Sequence, residues 1–391
     1  MDQIAQARQF QGWFIRGIVR SRLEAPRTRL PLDEEYWLAM RHPAEVASAG
    51  EAQLASTNAG FAALPPAERE HLWREFRAYV RQAEGFYRGA CVLPWKSSPL
   101  NYYYSFMNLA KAIAVTRGLL APQPAQSPRA LQHGLSARVV QGTPDKWKIT
   151  AKSTDGVFAL LYQATVGVPI PDSTEMDARE LLGYVISIRW QLEKSGSPAA
   201  GSWFPCHWVF LSQGDQVWDV IGISRGAAVS RLPATLSGVY QELSPEAAKP
   251  LARETLGLQA VQAQAFRFLQ RTTPIQAQEP GKYNVGEIEQ SLRAAMPNCV
   301  FEYLDGTDFQ FCIGLPYEVA TGTIPMNELA ASYAVLYFLS SVVRYHPDYM
   351  DHIGESTDAW LIESFAKSAP LSLLRQLVAA ALGYTLIIEA A

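Results

Sequence analysis

The sequence has little excess charge of either sign, since 34 Lys and Arg residues stand against 37 Asp and Glu residues. A net charge of −3 excludes a protein that holds nucleic acid or anionic lipid by bulk electrostatics. The composition of a disordered protein is also lacking, because 48% of the residues are hydrophobic and only 18% are charged. The 391 residues therefore predict a folded protein of two or three domains, or one large composite unit.

Cysteine is scarce, and the four cysteines stand singly, with no C-x-x-C pair: Cys91, Cys206, Cys299 and Cys312. This spacing argues against a zinc ribbon and against a secreted disulfide framework. Free cysteine is among the most frequently buried residue types, so reduced and mostly buried thiols are expected.

Long apolar runs are also missing. The most apolar stretches, 327–343 and 371–388, are interrupted by Glu328 and by Arg375. A bilayer crossing needs about 20 uninterrupted apolar residues, so no membrane partner is expected. The first 14 residues lack the charged start and apolar core of a signal peptide. We therefore expect a cytoplasmic protein.

The motifs of the common enzyme classes are absent from the sequence. It contains no Gly-rich phosphate loop, no G-x-S-x-G elbow, no H-E-x-x-H motif and no His, Cys or Asp set with metal-ligand spacing. We therefore predict no metal site and no cofactor.

Helical periodicity marks residues 1–90. Apolar residues recur at spacings of three and four over Ile4–Arg22 and Pro66–Arg88. Local basic patches occur here, at Arg16, Arg20, Arg22, Arg27 and Arg29, and on one face of the second helix at Arg74, Arg77 and Arg81. Two interpretations stay open: a solvated face neutralised by neighbouring glutamates, or a surface that faces phosphate.

A further helix, of strong propensity, is predicted over Leu100–Thr116, with Ser98 as its N-cap. A polar stripe follows one side of this otherwise apolar helix: Asn101, Ser105, Asn108 and Lys111. Such a stripe needs partners. We expect His133, in the tetrapeptide 132–135, to point back at it.

The middle of the chain alternates between strand and helix patterns. Strands are predicted over Trp147–Lys152 and in two hairpins, 207–223 and 299–315, whereas 157–163 fits a strand or a short helix. Helices are predicted over Ala178–Glu193 and Leu251–Gln270. Short antiparallel hairpins among helices argue against a parallel nucleotide-binding sheet.

The last third returns to helix. A long helix is predicted to begin at Pro325 and to end before Pro347, with shorter helical segments at 361–365 and 371–381. The long helix carries a stripe of side chains with polar tips: Tyr333, Tyr337, Ser340 and Arg344.

Two histidines are candidates for proton transfer. His42, His71 and His352 lie in charged contexts typical of the surface, and His207 lies at a strand start typical of a packed core residue. His133 and His346 remain, and either could act as general acid or base, because imidazole titrates near neutrality. The alternative is a histidine bonded to backbone at a turn or helix end.

Three segments of the chain carry a family resemblance: SSPLNYYYSFMNLAKA at 97–112, QHGLS at 132–136 and RYHP at 344–347. Together they resemble the YaaC-like family of bacterial proteins, in order from about residue 90 to the C-terminus. More loosely, a Tyr-rich helix followed by a His-Gly turn is similar to HEPN-type helical domains. That looser resemblance implies a metal-independent ribonuclease or a non-catalytic binding module, and a homodimer. The chain departs from the HEPN signature of an Arg followed by a His after four to six residues.

The fold class that we predict is α+β and predominantly α-helical, with a HEPN-like helical core and inserted short antiparallel hairpins. Its segments are an N-terminal helical region at 1–90, a core built from 91–135 and 325–391, and a hairpin-bearing segment at 136–324.

The predicted function is binding of a nucleotide or RNA, with ribonuclease activity as its catalytic form. The predicted catalytic residues are His133, Arg344 and His346, and the predicted ligand-binding residues are Asn101, Tyr104, Asn108 and Lys111. Two alternatives use the same residues. One is an interaction or scaffolding protein in which they form a structural network, and the other is a metabolic enzyme that acts on a purine or a small anion.

Overall fold

The structure, a computed structural model, describes the chain over the following ranges: 8–10, 30–120, 131–139, 147–152, 156–196, 203–213, 216–224, 238–244, 246, 266–276, 300–303, 311–356 and 358–383. The chain divides into two compact units. The first, which we call the sheet unit, comprises Met1–Arg16, Gly201–Tyr317 and Thr323–Met326. The second, the helical unit, comprises Gly17–Ala200, Glu318–Gly322 and Asn327–Ala391.

The described strands are β1 (Arg8–Phe10), β2 (Leu135–Val139), β3 (Trp147–Ala151), β4 (Thr174–Asp177), β5 (Trp203–Gln213), β6 (Gln216–Ser224), β7 (Tyr240–Glu242), β8 (Phe266–Arg271), β9 (Ile275–Gln276), β10 (Val300–Tyr303), β11 (Phe311–Gly314), β12 (Tyr317–Val319) and β13 (Gly322–Ile324). The described α-helices are α1 (Leu32–Glu45), α2 (Ala47–Thr57), α3 (Pro66–Cys91), α4 (Ser98–Thr116), α5 (Val157–Val166), α6 (Ala178–Leu181), α7 (Arg189–Ser195), α8 (Glu328–Tyr345), α9 (Pro347–Glu355) and α10 (Ala359–Leu382).

The sheet unit is built on an antiparallel sheet with the strand order β10-β11-β5-β6-β8-β7, in which β1 also pairs with β5 and β9 with β6. The long hairpin β5–β6 sets Gln213 opposite Gln216, and β10 runs from Val300 opposite Gly314 of β11. Both hairpins that the alternating pattern predicted are therefore confirmed.

The helical unit is organised around α4, which packs against α3, α5, α8 and α10. Because these four helices bury most of its side chains, α4 forms the centre of this unit. From Tyr103 to Thr116, only Tyr104 and Lys111 are not buried. These two residues lie two helical turns apart on one side of the helix. Any solvent access to this part of α4 therefore passes over Tyr104 and Lys111.

The fold class predicted from the sequence is confirmed: the protein is α+β, mostly helical, with small antiparallel sheets. The helices predicted over Pro66–Arg88 and Leu100–Thr116 are confirmed as α3 and α4. Segment 157–163, which fitted either pattern, is helical. The HEPN-like character of the core and the division at 90, 135 and 324 stay predictions.

Two predicted helices are wrong where the structure describes them. Arg8–Phe10, inside the helix predicted over Ile4–Arg22, is a strand paired with β5. Phe266–Arg271, at the end of the helix predicted over Leu251–Gln270, is a strand between β6 and β7. Both segments have helical spacing locally, but pairing with distant strands determines their structure. The remainder of both predictions, with the arginines at 16–29, lies outside the described residues.

The helix predicted over Ala178–Glu193 is interrupted. Two 3₁₀ turns, Leu182–Tyr184 and Ile186–Ile188, lie on either side of an extended Val185 before α7. The carboxylate of Glu328 accepts a hydrogen bond from the Ile186 backbone N–H at 2.9 Å, so a side chain of another helix satisfies this amide. That contact between distant segments is invisible to a local pattern.

Several helix ends differ from their predicted positions. The long helix begins at Glu328, three residues after Pro325, and the Asn327 side chain caps it. The N-cap of α4 is Ser97 instead of Ser98, and its side chain forms no capping hydrogen bond. The segments 361–365 and 371–381 belong to a single helix that continues through Pro370. Pro370 is buried, as are Leu373, Leu374 and Leu377 after it, whereas Leu371 is exposed.

Two other expectations concern exposure. Cys206 is buried, as expected, whereas Cys91 is exposed, because it ends α3 where the helix reaches the surface. Among the described residues, no helix has both the length and the apolarity needed to cross a membrane.

Candidate functional site

The tetrapeptide 132–135 is held as a rigid turn against α5. Each of its four backbone carbonyls accepts a hydrogen bond: Gln132 from the Val157 N–H, His133 from the Phe158 N–H, Gly134 from the Lys152 N–H and Leu135 from the Tyr337 hydroxyl, at 2.7 to 3.2 Å. Two of these donors are amides of the first turn of α5, which lack partners inside their own helix. The backbone that carries His133 is therefore fixed by α5, β3 and α8 together.

Glycine is required at this turn. Gly134 has φ +77°, and a Cβ there would lie 2.8 Å from the Gly156 Cα. Gly156 is equally restricted, because its own Cβ would lie 2.1 Å from the Gly134 Cα. The close approach of these two glycines lets the turn lie directly on the start of α5.

The side chain of His133 points back at α4, as predicted, but it meets Tyr103. The His133 Nδ1 lies 2.8 Å from the Tyr103 hydroxyl, and its ring also packs against Tyr337 of α8. Burial and the nearby hydroxyls of Tyr333 and Tyr337 raise the pKa of Tyr103 far above its usual value, so its hydroxyl keeps its proton. Tyr103 therefore supplies a neutral hydrogen-bonding partner that orients the imidazole.

Two cations, Lys111 and Arg344, act on His133. Burial lowers the pKa of its imidazole below the usual 6.5, and the charges of Lys111 and then Arg344 lower it further. Lys111 is half-buried, and burial lowers its pKa too. Its ammonium lies 5.6 Å from the ring centre of Tyr79 on α3. The structure thus brings together Lys111, His133 and Arg344, which we call the Lys–His–Arg cluster.

Arg344 is held at the edge of this cluster by two tyrosines. Its Nη1 donates a hydrogen bond to the Tyr104 hydroxyl at 2.9 Å, and its guanidinium lies 5.0 Å from the ring centre of Tyr345. Tyr104 in turn stacks on Phe86 of α3, with ring centres 5.4 Å apart. Tyr104 and Arg344, which come from distant parts of the sequence, are therefore direct neighbours.

Among the described residues, no carboxylate forms an ion pair with Lys111 or with Arg344. The arginines of the predicted α3 face are different, because Arg74, Arg77 and Arg81 all form ion pairs with glutamates. Of the two interpretations of that face, the solvated and neutralised one therefore fits the structure. Lys111 and Arg344 are thus two described cations of the Lys–His–Arg cluster that no described carboxylate neutralises.

Neither of the two predicted ligand-binding asparagines forms a hydrogen bond with the cluster among the described contacts. Asn108 is buried, and its side-chain amide donates to the Tyr104 backbone carbonyl of its own helix at 2.8 Å. Asn101 is half-buried, with its amide near Gly89 of α3. In this structure Asn108 supports the backbone of Tyr104, and Asn101 faces the packing between α3 and α4.

His346 is exposed at the junction of α8 and α9, where its backbone N–H bonds to the Val342 carbonyl. Within the described ranges, no side-chain hydrogen bond or ring contact links His346 to the Lys–His–Arg cluster. Of the three residues predicted as catalytic, the structure brings together His133 and Arg344.

The sequence analysis did not assign site roles to Phe86, Tyr103 or Tyr345. Tyr103 and Phe86 fitted the apolar sides of their helices, and Tyr345 is the neighbour of a predicted site residue. A signal for Tyr103 existed in the run of three tyrosines at 102–104, because three successive helical residues point in different directions and cannot share one face. No sequence signal separates an exposed Phe86 from a buried one.

Comparison with known proteins adds one finding. No curated protein and no solved structure matches the chain at a significant level. The family model described as "YaaC-like Protein" matches residues 65–380, which include α3, α4, the 132–135 turn and α8. Since this match extends over well more than half of the 391 residues, the chain belongs to the YaaC-like family.

Proposed function

We propose that the protein binds the phosphate of a nucleotide or of RNA at the Lys–His–Arg cluster. The observation that carries the proposal is that Lys111 and Arg344 have no carboxylate partner among the described residues, while His133 is held nearby by Tyr103. A half-buried ammonium without an anion is unfavourable, and charge-assisted hydrogen bonds to phosphate would compensate it. The neutral imidazole adds one further donor or acceptor.

The cluster also has the parts that RNA cleavage needs. In transesterification a base removes the proton from the ribose 2′-hydroxyl, whose oxygen bonds to the adjacent phosphorus while the P–O5′ bond breaks. The products are a 2′,3′-cyclic phosphate and a 5′-hydroxyl, whose oxygen takes its proton from an acid or from water, and a cation stabilises the charge that develops on the phosphorane. His133, with its lowered pKa, is suited to accept that proton when Nδ1–H donates to Tyr103 and Nε2 is unprotonated. Arg344 and Lys111 are suited to stabilise the phosphorane. Ribonuclease activity is the catalytic form of this proposal.

The test compares variants that remove charge. Lys111→Met and Arg344→Met should each weaken binding of a fluorescently labelled single-stranded RNA by roughly tenfold or more, because a hydrogen bond to a charged group contributes about 1.5 to 3 kcal/mol. Arg74→Met is the matched control, since Arg74 is exposed and paired with Glu70. It should leave the affinity within about twofold.

Cleavage is followed in EDTA with the same RNA. His133→Asn keeps a polar atom near Tyr103 while it removes the titratable group, so loss of cleavage with retained binding would assign proton transfer to His133. Binding without cleavage in the wild type would limit the function to recognition.

The rival function is an interaction or scaffolding protein, and the Asn108–Tyr104 and Tyr103–His133 hydrogen bonds favour it. It predicts a wild type that binds neither AMP nor RNA, and a His133→Ala variant that only melts at a lower temperature. Such a result would overturn the proposal and direct the search to protein partners.

A further inference from the structure

Two exposed aromatic side chains flank Arg344. Phe86 is 37% exposed and Tyr345 is 63% exposed, although both lie beside well-packed helices. Exposed single aromatics are common on protein surfaces. These two differ from isolated aromatics because both lie beside the same arginine. Tyr345 contacts Arg344 directly, and Phe86 stacks on Tyr104, which accepts a hydrogen bond from Arg344.

Phe86 is held in a fixed orientation. Its ring stacks on Tyr104 with an angle of 29° between the planes, and the Tyr104 hydroxyl accepts the hydrogen bond from Arg344. α3 and α4 run antiparallel here, because Tyr79 meets Lys111 two turns before Phe86 meets Tyr104. Phe86 therefore lies on the same side of the α3–α4 pair as Lys111, the half-buried cation of the cluster.

Tyr345 borders the cluster from α8. Tyr337 of the same helix packs against His133. The guanidinium of Arg344 lies over the Tyr345 ring, an arrangement that leaves guanidinium N–H groups available for an anion.

We infer that Phe86 and Tyr345 form a stacking platform for an unpaired nucleobase, so that the ligand of the Lys–His–Arg cluster is a nucleotide unit whose base is not in a duplex. This inference rests on the proposed function, because the phosphate would be held by Lys111 and Arg344. Bases in a duplex are already stacked on each other, whereas unpaired bases stack on aromatic side chains. The net charge of −3 is consistent with recognition by contact instead of by bulk attraction.

The experiment measures fluorescence anisotropy with three labelled RNAs of equal length: a single strand, its duplex, and an abasic strand with the same phosphates. The single strand should bind at least tenfold more tightly than the other two. Competition by AMP against the labelled strand distinguishes the two sources of the ligand. If the site takes free nucleotides, AMP should displace the strand at concentrations similar to those at which the strand itself binds. If the site takes a strand, AMP at those concentrations should not displace it.

Substitutions separate the base from the phosphate. Phe86→Leu keeps an apolar contact with Tyr104 but removes the aromatic face, and it should weaken single-strand binding by roughly 5- to 100-fold while leaving abasic binding unchanged. Phe86→Trp and Tyr345→Phe should retain the wild-type affinity. Trp190→Ala removes another exposed aromatic side chain of the helical unit and should leave the affinity for the single strand unchanged.

The outcomes distinguish this inference from the proposed function. If Phe86→Leu and Tyr345→Leu bind the single strand as the wild type does while Arg344→Met does not, the platform is wrong and the phosphate site stands. Equal binding of single strand, duplex and abasic strand also overturns the platform. If the wild type binds none of the three RNAs and no AMP, both are overturned.

Discussion

Gly134 gives His133 its position, and the substitution Gly134→Ala should remove that position. The alanine would have to keep the left-handed backbone conformation of Gly134, with φ +77°, and its Cβ would lie 2.8 Å from the Gly156 Cα. Gly167→Ala is the matched control, because Gly167 has φ +89° with open space around it. We expect the control to cost about 1 to 2 kcal/mol of unfolding free energy.

Gly134→Ala should cost about 1 to 3 kcal/mol more than this control because of the clash. Urea denaturation of the two variants checks the difference, and RNA affinity should fall only in Gly134→Ala. Equal destabilisation by both substitutions would mean that the turn moves away from α5 without strain.

His133 makes the stability of the protein depend on pH. Its pKa in the folded state is lowered from 6.5, so the unfolded chain binds more protons than the folded one near and below that pH. The stability contribution is therefore complete above about pH 6.5 and is lost as the pH falls toward the folded pKa.

The measurement is the unfolding free energy of wild type and His133→Asn between pH 5 and pH 7.5. The wild type should lose more stability than the variant over this range, and inorganic phosphate should reduce the loss because an anion favours the protonated imidazole. If the unfolding free energies of wild type and variant change with pH in parallel, the pH dependence comes from a group other than His133.

At the residue scale, the sequence predicted part of the candidate site. His133, Arg344, Tyr104 and Lys111 stand out as polar groups in apolar surroundings, and the structure makes them neighbours. Asn108 has the same sequence pattern, yet it bonds to its own helix. Spacing identifies which residues share a helix face, but the neighbouring helices determine which of them remain accessible.

Among the elements, α8 depends on a side chain just before its first turn. The Asn327 side-chain oxygen accepts from the Ala330 N–H at 2.7 Å, so Asn327→Ala should lower the unfolding free energy by about 1 kcal/mol. Ser97→Ala at the N-cap of α4 is the control, since Ser97 forms no capping hydrogen bond through its side chain. Thermal melts of both variants check this, and an equal effect would show that the cap of α8 contributes no stability.

Local patterns predicted the elements that local interactions determine. The helical spacing of α3 and α4 and the alternation of β5 and β6 correspond to the observed elements. The patterns failed at Arg8–Phe10, where the chain pairs with a strand about 200 residues away. They failed again before α7, where Glu328 satisfies a backbone amide of another segment. Both errors come from contacts between distant residues.

For the whole molecule, charge decides how any RNA is held. The chain carries −3 overall, and Arg74, Arg77 and Arg81 of α3 are neutralised by glutamates. The proposed function assigns the phosphate contacts to the two cations of the Lys–His–Arg cluster, so two contacts are expected to displace counterions. A plot of log affinity against log salt concentration should therefore have a shallow slope of about −1.4, since each phosphate contact on a single strand contributes roughly −0.7.

Binding isotherms from 50 to 300 mM KCl give this slope. Arg344→Met should make it shallower by one phosphate contact. A slope several times steeper would mean that a larger basic surface binds the RNA, and would move attention to the arginines of the N-terminal region.

The contact between Gly134 and Gly156 also offers a way to recognise relatives. Each glycine occupies the space that a side chain on the other would need, so a change at one position cannot be repaired by a change at the other. A His-Gly dipeptide followed by a glycine at the start of the next helix is then a signature that can be searched in distant sequences. Chains that keep both glycines but replace the histidine would preserve the turn without its imidazole, and they would serve as natural controls for the chemistry of the site.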